Sequence, residues 1–237
     1  MQRNIWIDAY ANLPCPSCLI GELDYEKHGL LTETQASLID NEFHKNGLVF
    51  PAITYLASTH LTCNKCKDIV VMTYKVVEDV RHVDEHGSEV QLIEPISYYP
   101  APKIIDIPNS SPLIIKELLN QSFALFWIDL NSCGNKIRVV VEALMDDLGI
   151  PNKSAKGNLI MLHQRIELFK KTDPKIASFL ISIKWIGNSG SHISGLTKEA
   201  ILDAYQIMEY SLENIYKDKE NEVTTLSDKI NKAKRHV

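Results

Sequence analysis

The chain has 237 residues, 45% of them apolar, and a formal net charge of −5. That length and apolar content suit an ordinary buried core in one large or two small domains, and no stretch approaches the roughly 20 apolar residues of a membrane span. The charge is uneven: residues 1–100 carry 7 Lys/Arg against 14 Asp/Glu and residues 101–237 carry 18 against 16, which excludes a strongly basic footprint for nonspecific DNA binding and leaves room only for a local positive pocket.

The N-terminus has no basic start followed by an apolar core, so a cytoplasmic location is expected. In that reducing compartment cysteines stay thiols or bind metal. The first pair, Cys15-Pro-Ser-Cys18, is matched by a second, Cys63-Asn-Lys-Cys66. A two-residue spacer lets both sulfurs of one turn reach one ion, and two such knuckles complete a closed tetrahedral zinc site of the structural kind. Cys133 is left as a lone thiol in a helical segment.

Gly21-Glu22-Leu23 reads as the short return strand of a zinc ribbon. The 44 residues from Leu19 to Thr62 then form an insertion hung from the metal site. Thr32 with Gln35 predicts a helix cap, Ala36, Leu38, Ile39 and Phe43 its apolar face, and Asn46-Gly47 its stop. Leu48 to Leu56 predicts an extended segment, and Asp68 to Val77, rich in β-branched residues, a ribbon strand. Residues 79–90 are polar and predict a solvated hairpin or loop, followed by a Pro-rich connector over 95–110.

From Ser111-Pro112 the apolar period changes from two to about 3.6, which predicts helices. Five are expected: Pro112–Trp127, Ser132–Leu148, Leu159–Lys170, one starting at Asp173-Pro174, and one capped by Thr197. Ile137, Val140, Val141, Leu144 and Leu148 form one apolar stripe, Ile176, Phe179, Leu180 and Ile183 another, and Ile201, Ala204, Ile207, Met208, Leu212 and Ile215 a third. Short connections imply an antiparallel bundle, with a polar tail from Lys217. The expected class is α+β: a zinc-ribbon domain over 1–94, the connector over 95–110, a helical bundle over 111–217 and a tail over 218–237.

The segment Lys184-Trp185-Ile186-Gly187-Asn188-Ser189-Gly190-Ser191-His192 is the best candidate for chemistry. Gly187 and Asn188 tolerate left-handed angles, so N–H groups can converge into an anion-binding concavity, and His192 titrates near neutral pH. Lys184 and Asn188 share one side of a helix end. Asn135, Arg138 and Glu142 form a polar ridge on the second helix. The competing reading is structural: a glycine helix end, a histidine satisfying buried carbonyls, and an ordinary Arg–Glu pair. Of the remaining histidines, His28, His44 and His60 lie in the insertion, His82 and His86 on the polar loop, and His163 and His236 have no evident partner. Trp6, Trp127 and Trp185 are read as core or domain-contact residues.

Ser122-Phe123-Ala124-Leu125-Phe126-Trp127-Ile128-Asp129, then Asn135-Lys136-Ile137-Arg138 with Glu142, and the run from Ile183 to His192 together resemble DUF4145, a bacterial domain family of unknown function, over about residues 95–217. The family is similar to HEPN-type bundles, many of which are metal-independent ribonucleases of toxin–antitoxin and antiphage systems, with active sites often built across a dimer. The resemblance implies a HEPN-like bundle and a nucleic-acid-directed role on RNA, with His192, Lys184, Asn188, Arg138 and Glu142 as site residues and a homodimer through the bundle. Lys184 stands where those enzymes usually carry arginine, and seven residues separate it from His192. The alternative is a noncatalytic module in which ribbon and bundle bind a protein or nucleic-acid partner.

Overall fold

A computed structural model describes residues 6, 12–25, 31–44, 53–83, 89–189, 195–216 and 219–233. The front half is an antiparallel sheet and the rear half is helical. The strands are β1 (Leu23–Tyr25), β2 (Leu31–Glu33), β3 (Ile53–Cys63), β4 (Ile69–Val83) and β5 (Glu89–Tyr99), with α1 (Gln35–His44) between β2 and β3. Both β1 and β2 lie along β3, at opposite ends: Leu23 faces Cys63 and Leu31 faces Ala57. β3 pairs with β4 and β4 with β5.

Period-two burial fixes which face of β4 is core: Val70, Met72, Tyr74 and Val76 are buried, whereas Ile69 and Val71 face outward. The pairing slips between Thr73 and Tyr74, so Ile96 is left over on β5 and Pro95, which cannot donate, faces Tyr74 beside the bulge. The polar stretch over 79–90, expected as a hairpin or loop, forms where it is described the paired ends of β4 and β5, with Asp79 facing Val90 and Val83 facing Glu89. The expected connector starts later, since β5 runs to Tyr99.

The insertion helix differs from its expected cap and face. Thr32 belongs to β2, and the side chain that caps α1 is Thr34, whose Oγ1 accepts from Ser37 N at 3.2 Å. Ser37, not the apolar neighbours, turns inward: it donates to Glu33 and accepts from Thr54 N, while Leu38 and Ile39 stay exposed. A hydroxyl that settles two strand groups outcompeted two aliphatic side chains.

The rear half comprises α2 (Leu113–Ile128), α3 (Leu130–Asp147), α4 (Leu162–Phe169), α5 (Pro174–Ser189), α6 (Lys198–Tyr216) and α7 (Lys219–Ala233). Only Asp129 separates α2 from α3, ending one and capping the other through a bond from Asn131 N. Pro112, expected as the first helical residue behind a Ser111 cap, is itself the N-cap of α2 and makes no side-chain cap bond. The third predicted helix begins at Leu162 rather than Leu159, because the preceding chain makes a small turn with a Lys153–Leu159 bridge.

The predicted stripes form most of the helical core, with Leu148, Phe179, Ile207 and Ile215 half-buried against it. Ile137, Val140, Val141 and Leu144 of α3, Ile176, Leu180 and Ile183 of α5, and Ile201, Ala204, Met208 and Leu212 of α6 are all buried. Burying each such large side chain contributes about 1.5–3 kcal/mol before entropy is counted. Among them sits a polar thread: Tyr205 Oη donates to Ser122 Oγ at 2.9 Å and meets Cys133 Sγ at 3.3 Å. Burial pushes the Cys133 thiol up to about 12, so this lone cysteine is an inert core group.

Arg165 was not visible as a structural residue in the sequence. It is 4% exposed and ties α4 to the end of α3, donating to Asp146 Oδ1 at 2.6 Å and to the Ile150 carbonyl at 2.7 Å. Sheet and helices share one apolar core, joined where Tyr98 of β5 stacks 4.5 Å from Trp127 of α2 and Trp6 lies 6.3 Å from the same ring. The expectation that Trp6 and Trp127 are core residues holds; Trp185, however, is 55% exposed. No helix among the described residues is long and apolar enough to cross a membrane.

Candidate metal centre and the helix crossing

The four cysteine sulfurs lie within 4.8 Å of one another, one ligand atom from each corner of the two knuckles. Strand pairing brings them together: β1 beside the end of β3 places the first turn against the second, with Asn64 N donating to the Glu22 carbonyl at 3.0 Å. The knuckles repeat one geometry. Leu19 N donates to Cys15 O at 3.1 Å and Lys67 N to Cys63 O at 3.2 Å, and Leu19 and Lys67 both take left-handed backbone angles, φ 60° and 64°.

The contacts across the knuckles are Cys15 Sγ to Cys66 Sγ and Cys18 Sγ to Cys63 Sγ, each 3.7 Å. A tetrahedron with metal–sulfur bonds of about 2.3 Å has edges of about 3.8 Å, so the donor spacing fits a tetrathiolate ion. Backbone N–H groups aim at the sulfurs: Gly21 N at Cys18 Sγ, and Lys65 N and Cys66 N at Cys63 Sγ, all at 3.4 Å. Gly21 is required by close approach, since a Cβ there would lie 2.5 Å from Cys63 Sγ.

Sharing one site, the thiols do not ionise alike. The Ile20 and Gly21 backbone N–H groups pull Cys18 down to about 6. Cys63 is raised by burial but held below its ordinary value overall by the N–H groups of Cys66 and Lys65. Cys66 is lowered by the Asp68 N–H, yet burial and the neighbouring sulfurs push it up to about 12. Such a set holds a cation best as thiolates, because each sulfur's negative charge is then balanced by the ion rather than opposed by its neighbour.

The second candidate region is the crossing of α3 and α5. Gly187 is not in a left-handed loop: it is inside α5, which continues to Ser189, so its N–H and that of Asn188 belong to the helix rather than to an anion-binding turn. Its role is contact. A Cβ on Gly187 would lie 2.7 Å from Arg138 Cβ and 2.9 Å from the Gly134 carbonyl oxygen. Gly134 has no room either, with Leu196 Cδ1 2.5 Å from where its own Cβ would be. The pair of glycines was not singled out from sequence; the signal was a glycine in each of two apolar stripes.

Among the predicted site residues, this crossing sets Arg138 against Gly187, next to Asn188 in the chain. Arg138 Nη2 is 2.8 Å from Glu142 Oε1 one turn on, an ion pair that holds the guanidinium along α3. Lys184 sits elsewhere, its Nζ 3.6 Å from the centre of the Trp185 ring. His192, with Gly190 and Ser191, lies outside the described residues, as do His28, His86 and His236 and the side chain of His82. His60 is on β3, and His163 is 6.4 Å from Trp185. At the α2–α3 elbow a cavity of about 380 Å³ is lined by Trp127, Asp129, Asn131, Leu196 and Lys198 among others.

Residues 120–234 match the model of a family described as Domain of unknown function (DUF4145). No curated protein and no solved structure matches the chain.

Proposed function

We propose that this chain, whose residues 120–234 match the DUF4145 family, is a nucleic-acid-directed protein of a bacterial defence or stress system, a zinc-stapled β head on a HEPN-like bundle. The observation that carries this reading is the α3–α5 crossing, which brings two distant parts of the motif, the Arg138–Glu142 pair and the Gly187-Asn188 step, to one place. Zinc is the ion for the head: the tetrathiolate set suits it, and a closed sulfur shell makes it structural. The chain works in the cytoplasm, where thiolates stay reduced, and as a homodimer through the bundle.

In its catalytic form the reading is a metal-independent ribonuclease. His192 takes the proton of a ribose 2′-OH, the oxygen attacks the adjacent phosphorus, and the 5′-oxygen leaves with a proton, giving a cyclic phosphate and a free 5′-hydroxyl. Arg138, held by Glu142, and Lys184 stabilise the charge that develops on phosphate, and Asn188 positions the strand.

A second reading, a noncatalytic binding module, is favoured by a specific observation: Gly187 serves as a helix contact and Lys184 lies on Trp185, both structural uses of the motif. Incubating the purified chain with RNA in buffer without divalent ions separates the two. Cleavage that His192→Ala abolishes supports the enzyme, whereas intact RNA with the parent protein, or equal cleavage by the variant, rules it out.

A further inference from the structure

Trp185 is an exposed aromatic in a strongly basic stretch of an acidic protein. Residues 151–188 carry seven Lys/Arg against Glu167 and Asp173, in a chain whose formal net charge is −5. Three of those cations are engaged: Arg165 is buried against Asp146, Lys175 Nζ donates to Tyr210 Oη at 2.7 Å, and Lys170 is 3.4 Å from Glu167. Of the other four, Lys184 lies on the indole, Lys153 and Lys156 belong to the turn before α4, and Lys171 is exposed just after α4.

Lys184 Nζ rests 3.6 Å from the centre of the Trp185 ring and His163, at the start of α4, is 6.4 Å from it. Two residues before His163 comes Met161, 66% exposed, and before that Leu159, 76% exposed and bridged to Lys153. Lys153 and Lys156 are exposed on that same short turn, held by Ile160 N donating to Asn152 O at 2.9 Å. Lys184 and His163 thus flank the Trp185 ring, Lys153 and Lys156 lie exposed on the turn that precedes α4, and α5 also carries the exposed Ser182 and Ser178 one and two turns before Trp185.

We infer that this face of α4 and α5 is a platform for single-stranded nucleic acid, a base stacking on Trp185 and the flanking lysines meeting its phosphates. An exposed aromatic ring among cations is the arrangement that binds unpaired strands with little sequence preference, because every base has a flat π-face and every linkage a charge. Double helices hide their bases and offer the indole nothing to stack on. Glu167, an acid on α4, is partly neutralised by Lys170, so a polyanion is not repelled there. This inference rests on the nucleic-acid reading above but not on catalysis, and of the residues given a catalytic role there it shares only Lys184.

The test is anisotropy of fluorescein-labelled U20 RNA and dT20 DNA with the full chain at low salt. Trp185→Ala should weaken binding on the order of 10-fold or more, the scale of one stacked base, while Trp185→Phe keeps most of it. Lys153→Gln with Lys156→Gln should flatten the plot of log affinity against log salt by about 0.7 for each phosphate that is no longer neutralised. Trp185 is more than half exposed, so melting temperatures of the variants should match the parent. Binding unchanged in Trp185→Ala, or polyglutamate competing as well as U20, overturns the platform while leaving the nucleic-acid role open. Absence of binding to either strand overturns both. Trp185-dependent binding without cleavage supports the platform and removes only the ribonuclease.

Discussion

The β head and the helical body are held together by different physics. In the head, two turns 44 residues apart in the chain are fixed by a point: four sulfurs within 4.8 Å, with short strands aligned beside them. In the body, no point is decisive; stripes of aliphatic side chains on α3, α5 and α6 share the burial, and the helices pass where two glycines leave space. The first design concentrates stability in a few groups and is lost when one is lost. The second spreads it, so single changes are felt in proportion to the volume they add or remove.

The largest expected effect breaks the head alone. Cys63→Ser, or prolonged chelation of the parent, should take bound metal from about one ion per chain toward none and strip hydrogen-exchange protection from β1 and the end of β3. The helical circular-dichroism signal should survive. If the helices melt in the same step, the Tyr98–Trp127 seam couples the two parts so tightly that they are one cooperative unit, and the contrast fails.

An intermediate effect sharpens the body's side. Gly187→Ala puts a methyl where Arg138 Cβ is 2.7 Å away and the Gly134 carbonyl 2.9 Å away, and since one of those neighbours is backbone the helices must part. A destabilisation of about 1–3 kcal/mol in denaturant unfolding is expected, with metal content unchanged. An unaltered or raised stability would mean that the crossing is looser than its geometry, because alanine is otherwise the better helix former.

What the sequence disclosed follows this division. Cysteine spacing announces a long-range contact outright, since a thiolate pair is chemically useless without the other pair; residues 15, 18, 63 and 66 could be assigned to one site before any strand was placed. Helix faces were readable because burial follows the 3.6 period, as Ile137, Val140, Val141 and Leu144 show. Hidden were features that depend on what lies opposite. Gly187 looks the same in a chain whether it ends a helix or admits a neighbouring one, and Trp185 looks like core until the helix packing turns it outward. Ser37 and Arg165 were missed for a related reason: a polar residue is taken as solvated until its buried partners are known.

The smallest expected effect concerns the joint between α2 and α3 and separates the two halves by pH. The Asp129 carboxylate accepts from Ser132 Oγ at 2.5 Å and from Asn131 N at 2.9 Å, and the Ser132 hydroxyl above all holds it below the usual carboxylate range. A carboxyl whose folded value is depressed adds stability above its unfolded value, about 3.9, and that contribution disappears as pH falls through the folded value. Asp129→Asn keeps an acceptor at the cap but has nothing to titrate. The variant should therefore be slightly less stable than the parent at neutral pH, and the gap should close as pH falls through the depressed folded value in parallel denaturant titrations. Acid would also release an ion held by the four sulfurs, because protons compete for the thiolates, but that loss would appear as released ion and be the same in parent and variant. A gap that stays constant with pH would assign the Asp129 effect to side-chain shape instead of charge, leaving the head as the protein's pH-sensitive half.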